Sequence, residues 1–241
     1  MPRAHRYFLP GHIWHITHRC HKQQFLLKFA KDRRAWMYWL YQARRRFGLC
    51  VLNYVVTSNH VHLLVKDMGR GEIACSMQLI SGRVAQQFNR RKSRKGAFWE
   101  DRYHATAVQA DGHLARCMVY IDLNMIRAGA VEHPSEWPHT GYYEIQSSPE
   151  RYRCIDVPTV AALLGFADAN SLRSGLHERV DQALAKGSQT RCPAWTQSIA
   201  VGQREYLVAI QRELKISHPR HVIDGEEGCL FLREKQKTYL A

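Results

Sequence analysis

The chain has 241 residues, and its 35 Lys and Arg residues against 21 Asp and Glu residues give a formal net charge of +14. A hydrophobic fraction of 45% supports a folded core and excludes a wholly disordered or low-complexity chain. Seven cysteines are scattered singly, which argues against a disulfide scaffold and a cysteine-rich zinc site. No stretch approaches the ~18 apolar residues that span a bilayer, and the first residues lack a secretory signal. We therefore expect a cytoplasmic protein with no membrane partner.

The basic excess is concentrated in the first part of the chain. Residues 1–145 hold 22 Lys and Arg against 10 Asp and Glu, whereas residues 146–241 hold 13 against 11. Such an uneven distribution is typical of a protein that binds a polyanion, above all nucleic acid. The densest runs are 44–46 and 90–95, and the second includes Arg90 and Arg91 as candidate DNA contacts. A single run is equally well explained as a solvated helix end, where cations suit the helix dipole.

The first part alternates between strand and helix patterns. β-branched and aromatic residues predict strands at 13–17, 50–56, 60–65 and 103–109, with a hairpin between the second and third. Helix-spaced apolar residues predict helices at 31–47, 72–89 and 113–128, the last opened by Asp111 and closed by Gly129. This order predicts an α+β, ferredoxin-like (split βαβ) antiparallel sheet with helices on one face and an opposite face open to a ligand.

A break in the pattern near residue 147 divides the chain into two predicted domains. Pro134, Pro138, Gly141 and the segment 147–149 mark it. We predict a catalytic domain over residues 1–145 and a mostly helical C-terminal extension over residues 150–241. Within the extension, residues 157–166 and 171–185 fit either a helix-turn-helix or plain helical packing.

Two histidines alternate on the third predicted strand. His60 and His62 lie in the segment 59–65, and side chains two apart on a strand face the same way. They should project together from the open face, while the intervening apolar residues point under the helices. Paired imidazoles on a rigid strand form half of a metal site. Because the chain has 14 histidines, one such spacing is also expected by chance.

The last predicted helix of the first domain carries a polar stripe. Arg116, Tyr120, Asn124 and Arg127 follow one another at helical spacing, apart from the apolar stripe that would pack on the sheet. A phenol, a carboxamide and two guanidiniums on one face suit phosphate chemistry. An ordinary solvent-exposed face explains the same pattern.

Four blocks of residues 1–145 resemble the single-tyrosine transposases with a His-hydrophobic-His (HUH) motif, most closely the REP-associated tyrosine transposases of bacteria. The blocks are 11–19, 59–65, 98–104 and 120–129, in that order. One departure is Met125, where family members usually carry proline. The resemblance implies a metal-dependent endonuclease and strand transferase that cleaves single-stranded DNA near hairpins or palindromic repeats. It also allows a homodimer, because some relatives exchange the tyrosine helix between subunits.

The resemblance also implies site residues. His60 and His62 would bind Mg²⁺ or Mn²⁺, Asn124 would supply a third, amide ligand, and Tyr120 would be the nucleophile that forms a 5′-phosphotyrosine link. Tyr103, in another family block, is the rival nucleophile, although a structural or DNA-stacking role suits it better. Further candidate DNA contacts complete the set: His15, Arg19, Arg90, Arg91, Arg102, Tyr103, Arg116 and Arg127. The alternative function is a non-catalytic regulator, derived from a transposase, that binds structured DNA or RNA.

Overall fold

The computed structural model describes residues 9–187, 191–214, 221–224 and 230–233. It contains a single seven-stranded sheet and helices on both of its faces. The strands are β1 (Ile13–Arg19), β2 (Cys50–Val56), β3 (His60–Lys66), β4 (His104–Val108), β5 (Ala200–Gly202), β6 (His221–Asp224) and β7 (Leu230–Arg233). The helices are α1 (Ala30–Phe47), α2 (Glu72–Arg91), α3 (Gly112–Asp122), α4 (Asn124–Arg127), α5 (Gly141–Ser147), α6 (Val157–Leu164), α7 (Ala169–Ala185), α8 (Ala194–Gln197) and α9 (Arg204–Glu213).

The first four strands and two helices form the ferredoxin-like unit. The strand order β2-β3-β1-β4 is antiparallel throughout, with α1 after β1 and α2 after β3. Both helices pack on the same face, above the fully buried side chains of Val61, Leu63 and Val65. Trp36 of α1 lies over Tyr54 of β2, with ring centroids 6.2 Å apart. The predicted fold class is therefore confirmed.

The opposite face of the sheet carries α3 and α8. The side-chain amide of Asn53 on β2 donates to Asp122 Oδ1 at 2.8 Å and to the Met118 carbonyl at 3.4 Å, which fixes α3 across this face. We expected a face open to a ligand. Instead, these helices cover it, and a cavity lies between them, the end of β1 and the start of β3.

The helix predicted over 113–128 is two helices in the structure. Asp111 is the N-cap of α3, because its carboxylate accepts a hydrogen bond from the backbone N–H of His113. Gly129 follows α4 with a positive φ of 64°, as a residue that ends a helix often does. Between them, Leu123 has φ −79° and ψ 4°, outside helical geometry. This break redirects the chain just before Asn124.

The C-terminal extension adds three strands that sequence analysis did not predict. β5 pairs with β4 in parallel, and β7 and β6 extend the sheet in antiparallel fashion. These strands are only three or four residues long, too short to show a clear alternation. The preceding helix α8 is short too, and it carries Trp195 to the centre of the sheet face.

Helices α6 and α7 follow each other closely, as the helix-turn-helix hypothesis requires. Leu172, Leu176 and Val180 of α7 are buried, and α7 packs against α3 and α5. This is the packing role that we weighed as the alternative. Among the described residues, no helix is both long and apolar enough to cross a membrane.

Candidate active site

A cavity of about 340 Å³ lies where β1 ends and β3 begins, beneath the junction of α3 and α4. Four distant parts of the sequence contribute to it. Its lining consists of Thr17, Arg19, Gln23, Asn59, His60, His62, Tyr120, Asn124, Arg127, Ala128, Arg191 and Thr196. The two histidines of the HUH motif, the tyrosine and the asparagine of α4 thus meet within one chain.

The strand places both motif histidines on the same face, with ring centroids 4.9 Å apart. Nδ1 of His60 lies 2.7 Å from Oδ1 of Asn59. The Asn59 amide is oriented by its own bond, because its nitrogen donates to the Gln23 carbonyl at 3.2 Å. His60 therefore carries its proton on Nδ1, and its Nε2 retains a lone pair.

His15 fixes the tautomer of His62. Nδ1 of His15 lies 2.8 Å from the backbone carbonyl of Trp195, which can only accept, so this nitrogen donates. Nε2 of His15 then accepts a hydrogen bond from Nδ1 of His62, at 2.8 Å. His62 is left with a lone pair on Nε2, 3.0 Å from the side-chain amide of Asn124. Both motif histidines thus have the tautomer that a metal ligand requires.

Burial keeps this histidine cluster uncharged. Loss of hydration lowers the pKa of His60 to about 4 and the pKa of His15 to about 3. The pKa of His62 falls well below its usual value for the same reason, and neighbouring positive charge adds to the effect. All three rings are neutral at pH 7, so the Nε2 lone pairs of His60 and His62 are available for coordination.

Tyr120 lies beside the histidines on the last turn of α3. Its ring centroid is 6.0 Å from the His62 ring and 6.2 Å from the Trp195 ring. The Arg127 guanidinium lies over the phenol ring at 4.3 Å and donates to the Tyr120 carbonyl. Burial raises the pKa of Tyr120, whereas the charges of Arg127 and Arg191 act in the opposite direction. These arginines therefore favour the phenolate that a nucleophilic tyrosine must form.

The donor atoms fit the divalent cation that the sequence predicts. Two neutral imidazoles and one carboxamide form a mixed nitrogen and oxygen set that suits Mg²⁺ or Mn²⁺, with imidazole favouring Mn²⁺. The Asn124 atom nearest His62 is the amide nitrogen. A half-turn of the amide exchanges this nitrogen for the oxygen, which is the atom that binds metals.

Two of the predicted DNA contacts, Arg19 and Arg127, line the cavity. His15 lies elsewhere than we expected: its side chain is fully buried, and its two ring nitrogens bond to His62 and to the Trp195 carbonyl. A residue held in this way has no surface to offer to DNA. A role in positioning His62 suits it better.

Tyr103 and Arg102 belong to another part of the molecule. They line a cavity of about 480 Å³ on the face of the sheet that α2 covers. There, the rings of His18 and Trp99 stack with centroids 4.0 Å apart. The sheet separates this cavity from His62, so the structure does not bring Tyr103 to the motif histidines.

The remaining predicted contacts also lie outside the cavity. Arg90 and Arg91 are exposed at the end of α2, and Arg91 pairs with Asp32 of α1. Arg116 lies one helical turn before Tyr120 and does not reach the cavity lining. Arg90 and Arg91 are thus surface residues, whereas the Arg116 side chain is half-buried.

The C-terminal extension contributes residues to this site that we did not predict from the sequence. Arg191 and Thr196 line the cavity, and the Trp195 carbonyl orients His15. No motif marks these residues. Nothing in the sequence links Trp195 to a histidine 180 residues earlier.

Asp122, next to the cavity on α3, gives the protein a pH-dependent stability. Burial raises its pKa to about 7, against the opposing effect of the hydrogen bond from Asn53. The folded state thus binds this proton more tightly than the unfolded state, so the stability from this group falls as pH rises from about 4 to about 7. Asp122→Asn removes the buried charge and retains an acceptor for Asn53. We expect the free energy of unfolding of the variant, relative to that of the parent protein, to increase by about 2–3 kcal/mol between pH 5 and pH 8.

Urea unfolding of both proteins at several pH values measures this difference. Asp156→Asn, at the N-cap of α6, is the matched control for the loss of one carboxylate. Parallel stability curves for the parent and Asp122→Asn would show that the carboxyl is already ionised in the fold at neutral pH.

One family model and two solved transposase structures are similar to this chain. The family model described as IS200-like transposase matches residues 10–124. A solved structure of a REP-associated tyrosine transposase bound to a REP hairpin is similar, with 19% sequence identity and a TM-score of 0.51. The match covers 64% of this chain and 90% of that chain. A structure of a candidate transposase from Deinococcus radiodurans R1 has 15% identity and a TM-score of 0.35, over 45% of this chain and 87% of that one. No curated protein matches the chain.

Proposed function

We propose a DNA-cleaving and strand-transferring activity for this chain, whose residues 10–124 match the family model described as IS200-like transposase. The substrate would be single-stranded DNA beside a hairpin or palindromic repeat, as the REP hairpin bound by the similar transposase suggests. The observation that carries the proposal is the meeting of His60, His62, Asn124 and Tyr120 in one cavity. A protein that only binds DNA has no need of this combination.

The arginines of the cavity would hold the scissile phosphate. Arg19, Arg127 and Arg191 all line it, so a phosphate placed there meets positive charge from β1, α4 and the extension. A divalent cation held by His60, His62 and Asn124 would act as a Lewis acid and neutralise the charge that builds on the phosphate oxygens.

Tyr120 would be the nucleophile. Its phenolic oxygen attacks phosphorus, the bond from phosphorus to the 3′ oxygen breaks, and the leaving oxygen takes up a proton to become a 3′-OH. The DNA is then joined to Tyr120 through its 5′ phosphate. Arg127, above the ring, stabilises the phenolate as its proton departs. A new 3′-OH can attack the same phosphorus and reverse the step, which joins strands without ATP.

A single chain supplies all of these groups. Tyr120 lies beside the histidines of its own sheet, with ring centroids 6.0 Å apart, so exchange of the tyrosine helix is not required to complete the site. The homodimer that the family resemblance leaves open would then serve to hold two DNA ends rather than to build one site.

A covalent-adduct assay tests the function. The protein is incubated with a panel of end-labelled hairpin oligonucleotides and Mn²⁺, and the products are separated on a denaturing gel. We expect a protein–DNA adduct on the fragment that carries the 5′ phosphate and a free 3′-OH on the other fragment, both abolished by EDTA. Tight binding without an adduct across the panel would instead favour the non-catalytic regulator.

DNA affinity is expected to fall steeply with salt, because neutralised phosphates release counterions. If the three cavity arginines each neutralise one phosphate of a single strand, the logarithmic slope is about −2, and affinity falls about 20-fold between 50 and 200 mM salt. Fluorescence anisotropy with a labelled hairpin measures the DNA affinity at each salt concentration. Arg19→Ala should flatten the slope by about 0.7, whereas Arg204→Ala on α9 should not. A salt-independent affinity would contradict the electrostatic interpretation.

A further inference from the structure

A second cluster of metal-ligating side chains lies away from the proposed active site, between α7 and the segment that follows α4. It consists of His133, just before the turn at 134–136, and of His177 and Asp181, one helical turn apart on α7. Nε2 of His133 lies 3.5 Å from Oδ1 of Asp181, and Nε2 of His177 lies 3.4 Å from Oδ2. One ligand atom from each residue can be chosen so that all three lie within 4.8 Å of one another.

These distances suit a shared cation better than direct hydrogen bonds. An N–H···O hydrogen bond is about 2.7–3.2 Å long, so both contacts exceed it. In a tetrahedral zinc site with bonds near 2.0–2.1 Å, neighbouring ligand atoms are roughly 3.4 Å apart. In addition, Nε2 of His133 is shielded from solvent and has no hydrogen-bond partner. A cation among the three groups would supply the missing interaction.

The opposite nitrogen of each ring is already engaged. Nδ1 of His177 lies 2.9 Å from the hydroxyl of Tyr142, and Nδ1 of His133 lies 2.7 Å from the hydroxyl of Ser135. The backbone N–H of Ser135 donates to His133 Nδ1 at 3.3 Å, so in the neutral ring the proton lies on Nε2, and zinc would displace it on binding. At His177, a Tyr142 hydroxyl that accepts from Nδ1 leaves Nε2 with its lone pair and fixes the ring, as the outer partners of histidine ligands in metal sites do.

We propose that His133, His177 and Asp181 bind Zn²⁺. Two imidazole nitrogens and one carboxylate oxygen are typical zinc ligands, and the exposed side of the cluster leaves a fourth position for water. The site shares no residue with the cavity that holds His60, His62 and Tyr120.

The ion would join the two predicted domains next to the proposed active site. His133 belongs to residues 1–145, whereas His177 and Asp181 belong to the extension. A small buried cluster formed by Leu123, Ile126, Tyr142 and Val180 packs in the same region. Leu123 and Ile126 flank the segment that carries Asn124. Zinc would thus stabilise the packing that holds α4 in place.

Thermal unfolding with and without Zn²⁺ tests the site. Full-length protein carrying His62→Ala is used throughout, so that metal binding by His60, His62 and Asn124 does not contribute to the measured Tm. We expect zinc at about 100 times its dissociation constant to raise Tm by about 5–10 °C. His177→Ala and Asp181→Asn should each abolish most of this rise. Glu178→Gln, at an exposed neighbouring position on α7, is the matched control for lost charge. This variant should retain the rise in Tm.

A spectroscopic measurement complements the unfolding curves. Co²⁺ in a tetrahedral site gives strong visible absorption, which we expect in the His62→Ala protein and not after His177→Ala is added. Since His177 and Asp181 side chains are more than half exposed, both variants should fold, and their circular dichroism without metal checks this. No rise in Tm with zinc, or the same rise in His177→Ala, would overturn the proposal. Because the HUH histidine is absent, neither result bears on the DNA-cleavage function.

Discussion

Tyr120→Phe is expected to abolish the covalent protein–DNA adduct and to lower cleavage by at least about 10³-fold, because the variant lacks the oxygen that attacks phosphorus. DNA affinity should change less than about twofold, since the ring still packs beneath Arg127 and the three cavity arginines are intact. The adduct on a denaturing gel and the anisotropy of a labelled hairpin measure the two effects separately.

Tyr103→Phe is the matched control. This tyrosine is as buried as Tyr120 and loses the same atom in the variant, but it lies on the other side of the sheet. We expect it to cleave DNA at the parent rate. Cleavage that survives in Tyr120→Phe and disappears in Tyr103→Phe would show that the nucleophile is Tyr103 and not Tyr120.

His62→Ala should eliminate high-affinity Mn²⁺ binding together with cleavage. The change removes one of two imidazole ligands and leaves Nε2 of His15 and the amide of Asn124 without their partner. We expect a reduction in single-turnover cleavage of at least about 10²-fold, which corresponds to roughly 3 kcal/mol of transition-state stabilisation. Calorimetric titration with Mn²⁺ in the absence of DNA measures the ligand role independently of catalysis.

Two further variants separate coordination from folding. His60→Ala affects a partly exposed ligand, so it should lose metal binding with little loss of stability. His15→Phe retains the ring volume but breaks the hydrogen bond that fixes the His62 tautomer. For such an outer partner we expect a 10–100-fold weaker Mn²⁺ affinity, with stacking on His62 largely preserved. Unchanged Mn²⁺ affinity in His60→Ala and His62→Ala would place the metal elsewhere.

The local parts of the fold could be read from the sequence because their signals lie within short segments. Strand alternation predicted that His60 and His62 face the same way, and the structure places their rings 4.9 Å apart. Helical spacing likewise grouped Tyr120, Asn124 and Arg127, which all line the cavity. Arg116 shared this stripe and yet lies outside, because the cavity is at the end of α3 and the break at Leu123 directs α4 around it.

Local sequence patterns are sufficient to predict the order of the ferredoxin-like strands and helices, the shared face of the motif histidines and the basic character of residues 1–145. These features follow from periodicity and composition, which are properties of neighbouring residues. Three contacts appear only once the chain has folded: His15 is an internal partner of His62, the Trp195 carbonyl holds His15, and Arg191 and Thr196 line the cavity. Such contacts join residues far apart in the chain, and their energy depends on burial and hydrogen-bond geometry that exist only after the sheet and the extension have packed together.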